Sequence, residues 1–303
     1  MPQSALAESA MNSSLLSMGP TEFRLFRDLI HRHTGIWLRE NKQVMLASRL
    51  AKRLRERHIA NFSDYYTLVE SHPEGGQELG ELINCVTTNK TSFFRESHHF
   101  DFLAGTALDQ FLLSPPPDAA PAGGRTFRIW SAACSTGEEP YSIAIALLEK
   151  QAARSASSRG WNFQIVASDI DTQVLRTAER GVYPAEALAD IPAECRYKYF
   201  LRGKDDMEGF VRVKKQVAQT IEFLRINLND QSWALNGTFD AVFFRNALIY
   251  FRQETQDLFL RRIIRHMRPQ GYLFLGHSEH IPWLHDILEP QKNTVYRRKG
   301  GTR

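Results

Sequence analysis

Cysteine is scarce in this chain. The three in 303 residues are Cys85, Cys134 and Cys195. They form no CxxC pair, and their odd number leaves one over in any pairing scheme, which excludes a disulfide framework and a cysteine zinc site. A reducing compartment fits that usage. No apolar run approaches the roughly 18 residues a membrane helix needs. The opening MPQSALAESAMNSSLLSMG lacks the basic and compact apolar regions of a signal peptide. Charge of one sign is short as well: 38 Lys and Arg against 34 Asp and Glu leave +4, too mild an excess to call for nucleic acid. The expectation is a cytoplasmic protein with neither membrane insertion nor metal. Hydrophobic residues at 43% and charged residues at 24% exclude a disordered or fibrous chain. At roughly 150 residues per domain the length predicts two domains, or one large one with an insertion.

Residues 1–18 are rich in Ser and Ala and read as a flexible N-terminus. From Thr21 to about Leu82 apolar residues recur at helical spacing (Phe23, Phe26, Ile30; then Leu46, Leu50, Leu54). SPPPDAAPAGG, before residue 125, is a loop by its proline and glycine. After it, short β-prone runs alternate with helical patterns. FRIWSA, FQIVASD, IEFLRIN, FDAVFFRN, GYLFLG and TVYRR read as strands, and EEPYSIAIALLEK, DTQVLRTAERG and the stretch near Glu254–Met267 read as helices. That alternation predicts a doubly wound α/β domain with a parallel sheet. Residues 182–218 break the rhythm and read as a small inserted β-subdomain. The expected division is 19–95 for a helical domain with a basic helix and 96–303 for the α/β domain.

In doubly wound folds cofactors sit where strand C-termini meet helix N-termini. The first such turn, SAACSTGEEP, has Gly137 as its only glycine, with Glu138 and Glu139 beside it. These carboxylates would repel a pyrophosphate and suit a cationic ligand, for example a sulfonium. Alternatively, Glu138, Glu139 and Pro140 simply start a helix, where acids and proline are favoured. At the second turn Asp169 stands where an acid can accept from ribose hydroxyls; it or Asp171 could equally cap the next helix. The fourth strand ends in FFRNALIYF, placing Arg245 and Asn246 at the cofactor edge, with Tyr250 either near the reacting centre or in the core. TTNKTSFFRESHHF (87–100) packs Asn89, Thr91, Ser92 and Arg95 among phenylalanines; such polar residues cap helices or line a cleft. His98 and His99, without acidic company, read as solvated. Residues 41–60 carry six Lys and Arg against one Glu, a local +5. Within them Arg49, Lys52, Arg53 and Arg57 form either a solvated face or a docking surface for an acidic partner.

TTNKTSFFRESHHF, SAACSTGEEPYSIA, ASDID, INL followed by FDAVFFRNALIYF, and GYLFLGHSE together resemble the chemotaxis-receptor glutamate methyltransferases of the CheR family. The likeness runs from about Thr21 to Arg298. It implies a small helical domain followed by an S-adenosylmethionine domain of Rossmann-like form, with an antiparallel β-subdomain inserted in the latter. It implies cofactor contacts from Asn89, Thr91, Arg95, Glu138, Asp169, Asn227, Leu228, Arg245 and Asn246, and places Arg95 and Tyr250 beside the transferred methyl group. The products would be glutamyl methyl esters and S-adenosylhomocysteine. It also gives the basic helix a partner, the acidic methylation helices of a chemoreceptor. Some members grip a tether at the receptor C-terminus through the β-subdomain.

A glutamate acceptor, with an ordinary pKa near 4.3, is already ionised at neutral pH and needs alignment more than a general base. The sequence accordingly offers arginine, asparagine and tyrosine, with no Cys-His or Ser-His pair. RNALIY departs from the Asn/Asp-Pro-Pro-Tyr of amino-group methyltransferases. The competing readings are a catalytically silent S-adenosylmethionine-binding regulator and a methyltransferase acting on another protein or on nucleic acid. Intact Arg95 and Tyr250 weigh against the first. The lack of an aromatic-interleaved basic surface weighs against nucleic acid.

Overall fold

The computed structural model describes residues 17–71, 75–114, 125–153 and 161–300. Residues 1–16 and most of the expected loop SPPPDAAPAGG lie outside them. The chain forms two compact units. One is Met1–Thr88 with Tyr250–Arg252, and the other is Asn89–Ile249 with Gln253–Arg303.

The first unit is helical: α1 (Pro20–Thr34), α2 (Gln43–Glu56), α3 (Phe62–Ser71) and α4 (Gly75–Val86). Proline opens α1, where its missing N–H costs nothing, and the Glu22 carboxylate takes the Gly19 N–H at 2.7 Å. Leu46, Leu50 and Leu54 repeat every four residues, so α2 turns one stripe onto Phe23, Phe26, Phe62 and Tyr65. Phe26 stacks on Tyr65 with ring centres 5.9 Å apart. Tyr250–Arg252 adds to this unit through an Ile36–Phe251 bridge, a Trp37 N–H to Tyr250 carbonyl bond of 2.8 Å, and the Arg252 guanidinium 3.3 Å from the Trp37 ring centre.

The second unit begins with α5 (His98–Phe102), one π-helical turn at Leu103–Ala107, and α6 (Leu108–Leu113). β1 (Arg125–Ala132), α7 (Glu138–Ala153), β2 (Trp161–Asp169) and α8 (Thr172–Arg180) follow. After the insertion come β6 (Ile221–Arg225), β7 (Phe239–Phe243), α9 (Gln253–Arg265), β8 (Met267–Phe274), β9 (Leu288–Pro290) and β10 (Val295–Arg298). The sheet order is β6-β2-β1-β7-β8-β10-β9. The first five are mutually parallel, and β10 and β9 close one side antiparallel. All five residues of β7 are buried, as an interior parallel strand requires. Strand order reverses between β1 and β7, so the loops after β1, β2 and β7 converge at the topological switch point.

The insertion holds its own antiparallel sheet, in the order β3 (Val182–Pro184), β5 (Phe210–Val213), β4 (Phe200–Arg202). These three strands make up the small β-subdomain expected over 182–218. The units divide between Thr88 and Asn89, earlier than the expected boundary after Arg95. The reason is that Asn89 bonds into the second unit: its amide donates to Asp171 Oδ2 at 2.8 Å, and its carbonyl accepts from Ser135 Oγ at 3.0 Å. Among the described residues no helix is long and apolar enough to cross a membrane.

Candidate active site

The loop after β1 is bent tightly, with Ala133 (φ 60°) and Ser135 (φ 52°) in the left-handed region. Such strained backbone collects at functional sites. It is held by Ser135 N–H to Asp169 Oδ2 (2.8 Å) and by Gly137 N–H to the Cys134 carbonyl (3.1 Å). Gly137 has φ 95°, and a Cβ there would lie 2.7 Å from Cβ of Ala178. Glycine is thus fixed at this position by helix packing as much as by any ligand.

Asp169 is 7% exposed. Its Oδ1 takes the Asp171 N–H at 3.0 Å. Burial, with the Asp171 charge adding to it, pushes its carboxyl up to about 6 against the pull of the Ser135 and Asp171 amides. Capping of α8 falls to Asp171, whose Oδ1 accepts from the Gln173 and Val174 N–H groups at 2.8 and 3.2 Å. The alternative role for Asp169 is therefore filled two residues later. Glu138 opens α7, only 8% exposed, and burial raises its carboxyl although the Thr136 hydroxyl donates to Oε2 at 2.6 Å. A helix start explains its position; it does not explain burying a carboxylate there.

Arg245 is 6% exposed and largely engaged within the protein. Nη1 donates to Glu139 Oε2 at 3.2 Å, and Nη2 lies 3.3 Å from Glu96 Oε2 and donates to the Arg95 carbonyl. Burial raises the Glu139 carboxyl even so. Asn246 sits at φ 58°, and its side chain reaches Glu96 Oε1 at 3.4 Å. Arg95 is partly exposed, with Nη1 donating to the Lys90 carbonyl at 3.0 Å; Thr91 is half-buried nearby in sequence. After β6, Asn227 and Leu228 lie in a turn where Asn227 Oδ1 accepts the Asn229 N–H at 3.0 Å and the Leu228 carbonyl accepts from Arg262 at 2.9 Å. Ile226 N–H to the Asp169 carbonyl (3.0 Å) ties that turn to the end of β2. The second unit thus gathers Asn89, Glu138, Asp169, Asn227, Arg245 and Asn246 around its strand ends. Tyr250 ends a 3-10 turn, Leu248–Tyr250, and belongs to the first unit.

His99 was expected to be solvated and is instead fully buried, because its ring packs on Phe274 with centres 5.7 Å apart. Its Nε2 donates to the Asn293 carbonyl at 2.6 Å, and burial brings its pKa down to about 4. Nor do His98 and His99 lack acidic company: Glu96, His98 and His99 bring ligand-type atoms within 4.8 Å of one another. The Arg245 guanidinium already supplies a cation to that carboxylate.

The basic helix also departs from expectation. Arg49 Nη1 donates to the Val86 and Thr87 carbonyls at 2.7 and 2.8 Å, capping the end of α4. Arg53 grips Glu78 with two bonds, Nε–Oε1 of 2.6 Å and Nη2–Oε2 of 2.8 Å. Neither lies free on a solvated face. Lys52, Arg55 and Arg57 are exposed.

Sequence reasoning missed Glu96 and Glu279 as site-building residues. Both are carboxylates within the motif segments, but nothing in a motif tells which acid turns inward.

This donor set suits S-adenosylmethionine: a buried acid at the end of β2 for the ribose, and carboxylates at the switch point for a cationic ligand. Residues 89–297 match the family described as "CheR methyltransferase, SAM binding domain", and residues 21–87 match "CheR methyltransferase, all-alpha domain". The chain is 42% identical over 275 residues to "Chemotaxis protein methyltransferase 2" of Pseudomonas aeruginosa, covering 91% of this chain and 92% of that one. It is 42% identical over 293 residues to a chemotaxis protein methyltransferase of Klebsiella aerogenes (97% and 93%), and 39% identical over 281 residues to that of Escherichia coli (93% and 92%). The chain belongs to the CheR family of S-adenosylmethionine-dependent methyltransferases.

Proposed function

We propose that this chain methylates glutamate side-chain carboxylates of methyl-accepting chemoreceptors, leaving glutamyl methyl esters and S-adenosylhomocysteine. The observation that carries the reading is Asp169, a buried carboxylate at the switch point of an S-adenosylmethionine-binding domain, relieved of helix capping by Asp171. The bound cofactor supplies an electrophilic methyl group on a positively charged sulfur. Asp169 accepts from the ribose hydroxyls, and Glu138 favours the ligand's positive charge. Asn89, Thr91, Arg95, Asn227, Leu228, Arg245 and Asn246 provide the remaining contacts.

The acceptor needs no base, since it is already a carboxylate. Arg95 has one Nη on the Lys90 carbonyl and further donors to hold a carboxylate in line without taking its charge. Tyr250 is assigned a role near the transferred methyl group on the family resemblance alone. Docking onto acidic receptor helices falls to Lys52 and Arg57, with Arg55 beside them, because Arg49 and Arg53 serve the fold. The β-subdomain is where a receptor tether would add as an extra strand, β3 and β4 being its outer strands and Tyr197, Leu201 and Phe210 standing exposed there. The test is incubation with labelled S-adenosylmethionine and receptor cytoplasmic domains. Base-labile label on receptor supports a carboxyl methyl ester, and base-stable label refutes it.

A further inference from the structure

Glu279 lies in the turn after β8, is not itself among the residues the motifs assign to the cofactor, and is 4% exposed. Its carboxylate is surrounded by main chain. Oε2 accepts the Asn246 N–H at 2.9 Å and the Gly276 N–H at 2.7 Å, and Oε1 accepts the Leu248 N–H at 2.8 Å. Two of these amides belong to the loop after β7, which carries Arg245 and Asn246. Asn246 is held there at φ 58°, a conformation non-glycine residues adopt at a cost. Something must over-determine that geometry, and a buried anion taking amides from both ends of the bend does so.

Gly276 makes the arrangement possible. A Cβ at that position would lie 2.8 Å from the Asn246 nitrogen and 2.9 Å from Glu279 Oε2. The four-residue stretch Gly276–Glu279 thus forms a clasp: glycine lets the backbone approach, and the glutamate three residues on closes over the loop. Glutamine cannot replace it, because its NH2 group would face main-chain N–H donors. The carboxyl is raised by burial against the opposing pull of these amides.

We infer that Glu279 is a positioning residue of the methyltransferase, a main-chain clasp that fixes the loop after β7 so that Asn246 meets the cofactor. The inference rests on the reading of Asn246 as a cofactor contact. It is tested with the full chain by Glu279→Gln, measuring S-adenosylhomocysteine affinity by calorimetry and amide exchange at Asn246 and Leu248. The expected result is a loss of affinity of about tenfold or more, the worth of a hydrogen bond to a charged group. Faster exchange should be confined to those amides and Gly276, and turnover should fall more than the Michaelis constant for receptor rises. Glu279→Asp, which keeps the anion, should recover part of both losses, a recovery that a mere packing role would not give. A folded Glu279→Gln with wild-type affinity and exchange overturns the proposal. Should Glu279→Gln not fold, wild-type affinity and exchange in Gly276→Ala, whose Cβ would press on the Asn246 nitrogen and Glu279 Oε2, overturn it equally. If wild type fails to methylate receptor glutamates, the functional reading falls, while affinity and exchange still judge the clasp.

Discussion

Reversing charges on α2 separates two roles that its composition merges. Glu78 is the decisive neighbour. Its side chain is 3% exposed while that of Arg53 is 19% exposed, and Tyr65 OH also donates to it at 2.9 Å. Burial pushes the Glu78 carboxyl up, but the bonds from Arg53 and Tyr65, with the Arg53 and Arg57 charges, hold it below its ordinary value. Arg53→Glu would put a second carboxylate against a buried one. Removing one partner of a buried pair costs roughly 3–5 kcal/mol. At about 4–8 °C per kcal/mol for a unit of this size, the melting transition should drop by about 12 °C or more. Lys52 is 75% exposed and lies 3.8 Å from Glu56, itself 44% exposed. Lys52→Glu with Arg55→Glu should therefore move stability by no more than about 0.5 kcal/mol.

The two variants should part in the opposite sense on receptor. The Lys52/Arg55 double reversal should raise the Michaelis constant for receptor at low salt, with cofactor affinity unchanged. The gap should narrow with salt as charges are screened over roughly 10 Å at 0.1 M. Thermal unfolding by circular dichroism and receptor methylation at two salt concentrations are sufficient assays. If Arg53→Glu melts with wild type, the buried-pair reasoning is wrong. If the double reversal docks as well as wild type at low salt, α2 is only a solvated face.

Asp169→Ala should weaken S-adenosylmethionine binding by roughly 1.5–3 kcal/mol, the usual worth of hydrogen bonds to a charged group; unchanged calorimetric affinity would remove it from the site. Because the Asp169 carboxyl sits at about 6 and the ribose needs its ionised form, cofactor affinity should fall as pH drops below 6. It should be flat above 7, and Asp169→Asn should abolish that pH dependence. Tyr250→Phe should lower turnover more than it weakens cofactor affinity, and a parallel loss of both would make Tyr250 a binding residue.

The alternation of buried strands and helices was legible because interior parallel strands are continuous apolar runs, FDAVF being the clearest. β3 and β9 were not, since three residues cannot display a period and Pro290 ends the latter. Of the site, the strand-end acid could be read, but whether Asp169 or Asp171 capped α8 could not. Both lie at capping distance in sequence, and only backbone geometry chooses between them. Arg53 misled for a related reason. Helical spacing puts it on one face with Arg49 and Lys52, but its partner Glu78 comes from another helix 25 residues away. The partners of Glu279 are amides, which leave no mark in a side-chain pattern.

The four buried carboxylates at the strand ends show why a raised pKa does not by itself name a catalytic group. Glu138, Glu139, Asp169 and Glu279 are all pushed up by burial. What differs is who satisfies them. Glu139 is answered by Ser131 and by the Arg245 guanidinium, and Glu279 by the main-chain amides of Gly276, Asn246, Leu248 and Ile249, so both are held within the protein. Asp169 takes main-chain amides from Ser135, Ile170 and Asp171, and each carboxylate oxygen can accept more than one hydrogen bond. Glu138 takes the Thr136 hydroxyl on Oε2 and its own main-chain N–H. Unmet acceptor capacity in a buried anion is costly, and a ligand bringing hydroxyl donors and a positive charge removes that cost. Glu139 and Glu279 thus hold loops together, while Asp169 and Glu138 are the acids proposed to meet the ligand. That division would suit the proposed chemistry, in which the acceptor arrives already ionised and the protein has only to bind and align.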